Sequence, residues 1–376
     1  MARTIIILIL LLVIIGTLGT ASFLYYQRSI NEEGWNQVYM AESRIESEEY
    51  DKAIKTLLPI VNKGKRFEGA AQAMYNLARA YEGAGVDEAA DMWKQLVEEF
   101  PESPYYHEAK LKRAWGVMET KPDEAKAIFA EVIEGASPEI RIEAKYGMAM
   151  FHEKEQDVEA AKDLYYEIIA NDDLPWKLES QIKDRLTELN NQTLWRPMLD
   201  EFSKLYTVQP GDAPITVGQK FKTTAWYILE ANGLNKMLHP GKRLKVPKEP
   251  FRVLVNKKRC RLELLNESGT FIKWYPCGVG KLSYKTPPGE YKIENKEQNP
   301  VWYPPTGGIV NPGDPENALG TRWMGIGNSL GIHGTNEPDS IGKPESEGCI
   351  RMHNKDVEEL YKLITYDTRV TIIEGE

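Results

Sequence analysis

A thiol and an imidazole, Cys349 and His333, stand sixteen residues apart near the C-terminus, in the stretch GIHGTNEPDSIGKPESEGCIRMHN (residues 331–354). A free Cys is mostly protonated below about pH 8.5 and needs a base to act as a nucleophile near neutrality. An imidazole within hydrogen-bond reach takes that proton and returns it to a leaving amine. The N–H groups of Gly348 and Cys349 are then the natural donors to the oxyanion that develops. Pro338, Gly342 and Pro344 exclude a long helix between the two residues, so the segment is expected to loop back and bring them together. This is equipment for acyl transfer.

The elements that must position these residues read as β-structure. FRVLVNKKRCRLELL and TFIKWYPCGV alternate in polarity on either side of a Gly-containing turn, Asn266-Glu267-Ser268-Gly269, which predicts a hairpin. The Gly- and Pro-rich middle predicts short strands and loops. After the motif, Asn354 is placed to cap a helix through Thr365, with Asp356 in its first turn, and residues 369–373 read as a closing strand.

The order His-Gly, loop, Ser-x-Gly-Cys-hydrophobic-Arg resembles the catalytic motif of the L,D-transpeptidases (the YkuD-type domain) of bacterial cell-wall synthesis. TPPGEYKI (286–293), NPVWYPP (299–305) and NALGTRWMGIG (317–327) extend the resemblance over nearly the whole C-terminal third. It implies a β-sandwich in which Cys349 is the nucleophile and His333 the base, its ring oriented by the carbonyl of Gly334. It also implies that the thiolate attacks the third residue of a tetrapeptide stem, expels D-Ala and passes the acyl group to an amine of another stem, a 3→3 cross-link. Resolution by water would instead make an L,D-carboxypeptidase, and loss of chemistry a non-catalytic wall-binding scaffold. Arg351 suits a bidentate grip on a stem carboxylate or a structural salt bridge. Trp302 and Trp323 either wall the cleft or pack in the core, and His353 reads as structural beside the helix cap. Many members carry His where this chain has Glu347, a departure that bears on local charge and substrate contact. No cofactor is implied, and no metal: beyond His333, Cys349 and His353 no further ligand stands at a recognisable spacing.

The rest of the chain divides by pattern. Residues 1–28 hold twenty-four uncharged residues between Arg3 and Arg28, with 5–15 almost purely aliphatic. That length spans about 30 Å of hydrocarbon, and Tyr25, Tyr26 and Arg3 fit an anchor with a cytoplasmic N-terminus. The other reading is a secretory signal cleaved near Gly19-Thr20-Ala21. Residues 29–195 repeat: Ala53, Ala89, Ala125 and Ala161 lie 36 residues apart, each followed four positions on by Leu57, Trp93, Phe129 or Tyr165. A small residue and then a large apolar one at helical spacing, at a fixed period, is the mark of a helical solenoid. AMYNLARAYEGAGVDEAADMWKQLVEEFP resembles a tetratricopeptide repeat, a stretch at 178–189 reads as its capping helix, and the array offers a surface for a protein partner.

Residues 204–248 place two β-type runs around two short helical patterns. Gly211-Asp212, Asn232-Gly233-Leu234 and Pro240-Gly241 resemble a LysM module, a βααβ unit that binds N-acetylglucosamine-containing glycans, which makes Gly211, Asp212, Asn232 and Pro240 candidate glycan contacts. Ala213-Pro214 departs from that pattern. Nine Lys or Arg between positions 242 and 261 read as a solvated strand edge or as a patch for an anionic wall polymer. A net charge of −9 over 376 residues argues against nucleic acid as a partner. Cys260 and Cys277 flank the predicted hairpin turn and either pair as a disulfide or sit as free half-buried thiols.

The expectation is therefore a multidomain chain: an N-terminal transmembrane helix (1–28), an all-α helical-repeat solenoid (29–195), a small βααβ LysM module (204–248) and a mostly-β catalytic sandwich (250–376). Its expected partner is peptidoglycan, stem peptides and glycan strands alike, together with the membrane through the N-terminal helix. Its expected place is the cell envelope, anchored with the domains extracytoplasmic, or secreted if the leader is cleaved.

Overall fold

The computed structural model describes residues 2–171, 174–281 and 285–375, with side chains from Thr20 onward. Two compact units divide near Asn171.

The first unit is helical: α1 (Ala2–Glu46), α2 (Tyr50–Val61), α3 (Ala70–Ala84), α4 (Glu88–Glu99), α5 (Tyr106–Val117), α6 (Pro122–Gly135), α7 (Pro138–Lys154) and α8 (Val158–Ile169). The four repeated alanines fall on α2, α4, α6 and α8, and Leu57, Trp93, Phe129 and Tyr165 beside them are buried. Trp115 meets Phe129 edge-on, with centroids 5.2 Å apart, so its ring is used in packing between helices. Successive helices contact one another down the array, each too narrow in its apolar stripe to bury that stripe alone.

The expected transmembrane helix is corrected here. Among the described residues no helix is long and apolar enough to cross a membrane. α1 has no break near Arg28; it runs to Glu46, and Val38, Ala41 and Ile45 on its second half are buried in a core shared with α2 and α3. Near residue 28, Arg28 and Glu32 form an exposed ion pair along the helix. The side chains of 5–15, on which the expectation rested, lie outside the described residues.

The second unit begins with α9 (Trp176–Leu194), expected as the cap of the repeats. It packs instead on the sheet that follows. Next come β1 (Ser203–Thr207), α10 (Pro214–Lys220), α11 (Ala225–Glu230) and β2 (Arg243–Pro247), with β1 and β2 antiparallel around a core of Val208, Val217, Ile228, Leu244 and Val246. Then follow β3 (Phe251–Asn256), β4 (Arg261–Asn266), β5 (Phe271–Gly278), β6 (Gly289–Lys292), β7 (Asn295–Gln298), β8 (Arg322–Gly327), β9 (Leu330–His333), β10 (Ile350–Met352), α12 (Asn354–Leu363) and β11 (Arg369–Ile373). Their ladder runs β6-β11-β3-β4-β5-β10-β9-β8-β7. β5 pairs with β4 through Pro276 and with β10 at Cys277 and Gly278, so one strand passes from one layer to the next, as where sheets turn a corner.

α9 is held to this sheet by polar bonds: Lys183 to Glu263 at 2.9 Å, Trp274 Nε1 to Asp184 at 2.7 Å, and Asn190 Nδ2 to the Ile272 carbonyl at 2.7 Å. The small module is braced against α12 by hydroxyls of Thr223 and Thr224 that donate to the carbonyls of Leu363 and Lys362, and by the Lys362–Glu230 ion pair. Cys260 and Cys277 are free and buried, and the Cys277 N–H donates to the Cys260 carbonyl at 2.9 Å.

Candidate active site

β9 and β10 lie parallel, with Ile332 opposite Ile350 and His333 opposite Arg351. Extending that register by one residue sets Cys349 beside Gly331. Side chains two apart on a strand share a face, so Cys349 and His333 are diagonal neighbours on one face of adjacent strands. The loop of 334–349 is the crossover that makes the two strands parallel, and because they overlap over only two residues, His333 at the end of β9 lies close to Cys349 just before β10.

β8 completes the face. Trp323 pairs with His333 across the antiparallel ladder, and its indole stacks on the imidazole with centroids 5.7 Å apart and planes 26° from parallel. The ring also covers Gly331, where a Cβ would come within 2.5 Å of the indole Cη2. Only glycine leaves that space to the indole. Gly331→Ala therefore drives the indole off His333. The expected result is a fall of about tenfold or more in the iodoacetamide alkylation rate of Cys349, with a stability loss of about 1–3 kcal/mol from overpacking. Kinetics by mass spectrometry and chemical denaturation check the pair of effects.

His333 is buried, and its Nδ1 lies 2.7 Å from the Gly334 carbonyl oxygen. A carbonyl only accepts, so Nδ1 carries the proton and Nε2 presents its lone pair. Burial pushes the imidazole down to about 4; the Gly334 bond opposes this and the Arg351 charge adds to it. At neutral pH the ring is an uncharged base. The Cys349 thiol is pushed up from its usual range, chiefly by burial and slightly by Glu347, against the Gly331 N–H and Arg351. Its Sγ lies 3.8 Å from the Ser329 carbonyl, in the tight β8–β9 turn where Asn328 and Ser329 both take positive φ. The resting pair is thus neutral thiol and neutral imidazole.

The approach to Cys349 is held from both sides. Ser346 Oγ donates to the Cys349 carbonyl at 2.6 Å and accepts from the Gly348 N–H at 3.2 Å, while Thr286 Oγ1 donates to the Gly348 carbonyl at 2.7 Å. Gly348 has φ +112°, a conformation that side-chain-bearing residues rarely adopt. This alters one expectation: the Gly348 N–H is engaged by Ser346. Among the described residues the Cys349 N–H has no such partner.

Arg351 is committed internally, its Nη1 donating to Glu337 at 2.8 Å, so a substrate carboxylate must compete with Glu337. Trp302 forms an isolated bridge with Val310. His353 is the N-cap residue of α12, and Asn354, expected as the cap, has another task. Its Oδ1 accepts from Thr321 N–H at 3.2 Å and Thr335 N–H at 3.1 Å, and its Nδ2 donates to the Thr335 carbonyl at 3.0 Å. Asn354 thereby fixes the backbone that carries the Gly334 acceptor. In the module, Asp212 accepts from Tyr206 OH and Gln209 N–H, each at 2.7 Å, and the Tyr206 bond foremost holds its carboxyl below the usual range. Asn232 is spent on Ile228 and Lys245 backbone. Gly211 and Pro240 lie exposed in the neighbouring loops.

Fold and site together are those of a β-sheet domain that presents a thiol beside a buried, backbone-oriented imidazole, coupled to a small βααβ module. The chain matches the L,D-transpeptidase catalytic domain family over residues 250–372, the LysM domain over 206–247 and a tetratricopeptide repeat over 72–103. It is 37% identical over 177 residues to the YkuD protein of Bacillus licheniformis, assigned as an L,D-transpeptidase, covering 45% of this chain and 98% of that one. With the YkuD protein of Bacillus subtilis it shares 37% identity, over 44% of this chain and 97% of the relative. The solved catalytic domain of the E. faecium L,D-transpeptidase aligns at 22% identity and a TM-score of 0.28, over 33% of this chain and 98% of that one. The chain belongs to the YkuD-type L,D-transpeptidase family, and carries in addition a LysM domain and tetratricopeptide-like repeats.

Proposed function

We propose that the chain is a peptidoglycan L,D-transpeptidase acting outside the cytoplasmic membrane, with Cys349 as nucleophile and His333 as proton carrier. The thiol proton moves to His333 Nε2 as Sγ attacks the carbonyl of the third residue of a tetrapeptide stem. The C–N bond to D-Ala breaks, the amine leaves with the proton held on His333, and a thioester remains. An amine of a second stem then attacks the thioester, gives its proton to His333, and releases the 3→3 cross-linked product and the thiol. The observation that carries this reading is the parallel β9–β10 register, which sets Cys349 diagonal to an imidazole whose Nδ1 is tied to Gly334. The Cys349 N–H is the oxyanion donor in this reading, and the indole of Trp323 forms one wall of the donor site.

Mass spectrometry of purified tetrapeptide muropeptides incubated with the full chain tests it. The expected product is a cross-linked dimer with release of one D-Ala. Tripeptide without dimer would replace transfer by hydrolysis of the same acyl-enzyme, and unchanged muropeptides would leave a wall-binding scaffold. A carbapenem is expected to leave an acyl adduct on Cys349, read by intact mass. L,D-transpeptidase 3 from Mycobacterium tuberculosis has been solved in complex with a faropenem-derived adduct.

A further inference from the structure

Where the LysM module is braced on the catalytic domain, the two leave an open cavity of about 970 Å³. That is the size range of small-molecule sites. One wall is the α10–α11 corner of the module, with Lys222 and Trp226; the other is the turn before β11, with Tyr366 and Asp367, together with Lys292 of β6. Trp226 is 42% exposed and Tyr366 60% exposed, so each domain offers the cavity an aromatic ring that its own core does not use.

The walls are bonded to each other. Thr223 and Thr224 bond to the C-terminal carbonyls of α12, Lys362 pairs with Glu230, and Tyr361 lies 6.0 Å from the Trp226 ring at 60°. Two of the cations nearby are engaged. Lys296 is consumed by the Tyr361 and Ile364 carbonyls at 2.7 and 2.6 Å, and Arg369 by Glu267. What remains is Lys222 and Lys292 against Asp367, a polar rim of mixed sign with a slight excess of positive charge.

Two exposed aromatic faces with a polar rim of mixed sign match a ligand that has an apolar C–H face and an edge of hydroxyl and amide groups. We infer that this cavity is a saccharide site, built jointly by the two domains, for the uncharged N-acetylhexosamine backbone of the wall polymer. The inference rests on the proposed murein substrate and gives its glycan strand a second point of attachment. It differs from the module's own loops, where Asp212 and Asn232 are spent on internal bonds. An anionic polymer would meet only Lys222 and Lys292, opposed by Asp367, and an aromatic pair would add nothing to its recognition.

The test uses the full chain and the N-acetylglucosamine tetramer, which has no stem peptide, with titration calorimetry and tryptophan fluorescence. Binding is expected in the unmodified chain, equally in a Cys349→Ala chain, and weakened about tenfold or more by Trp226→Ala and by Tyr366→Ala, with Tyr366→Phe close to normal. Tyr366 is exposed enough that its replacement leaves the fold intact, which keeps the result readable if Trp226→Ala unfolds the module. Absence of binding, or affinity unmoved by both alanine variants, overturns the inference. So does a preference for a polyglycerol phosphate over the tetramer. Because the probe carries no scissile peptide, such a failure leaves the thiol chemistry untouched, and failure of muropeptide cross-linking leaves this result untouched.

Discussion

Cys349→Ala is expected to yield a folded chain that forms no acyl adduct with a carbapenem and no cross-linked dimer, a loss of at least about a millionfold toward the uncatalysed rate. Cys349 is only partly buried, and the loop that carries it is held by Ser346 and Thr286 through backbone atoms, which the substitution leaves in place. Intact-mass spectrometry separates the outcomes: the parent chain gains the mass of the acyl group and the variant gains nothing. An adduct on the variant would move the nucleophile elsewhere. Cys260 and Cys277 are poor substitutes, because burial pushes both thiols up.

His333→Gln is expected to slow adduct formation by about 10²–10⁴-fold, the usual worth of a positioned general base. The pH profile carries a sharper expectation. A base must be uncharged to accept a proton, and burial lowers this imidazole to about 4, so it stays uncharged down to that pH. The acid limb of the parent chain should therefore fall near pH 4, well below the 6.5 or so of a solvated His. A limb near 6.5 would mean that the ring is hydrated in the working enzyme. In the His333→Gln chain, reaction with iodoacetamide should climb only above the ordinary Cys range, since burial raises the Cys349 thiol.

The glycines around the two reactive groups explain why the site was legible. Gly331 leaves room for the Trp323 indole, and Gly348 turns the chain before Cys349. Both needs are local, so they leave a mark in the sequence. Periodicity served equally well in the repeats, where the alanines at 53, 125 and 161 are buried because a small side chain is what neighbouring helices need at close approach. Legibility ended where a side chain chose among distant partners. Glu337 takes Arg351, Ser346 takes the Gly348 N–H, and Asn354 reaches Thr321, thirty-three residues away, rather than capping its own helix. An Asn–backbone lock of this kind is invisible to spacing, because the amide reads the same in a cap and in a buried brace.

The sequence by itself determined the chemical groups on offer and the kinds of module that carry them, since a thiol, an imidazole, strand alternation and a repeat period all depend on residue type at short range. Tertiary structure alone decided where the elements went and what state the groups are in. α1 runs on into the repeats and α9 joins the catalytic sheet, because the partner surface settles where an amphipathic helix lands. The imidazole became a neutral base and the thiol a reluctant acid because burial, which no single stretch of chain encodes, sets the cost of a charge.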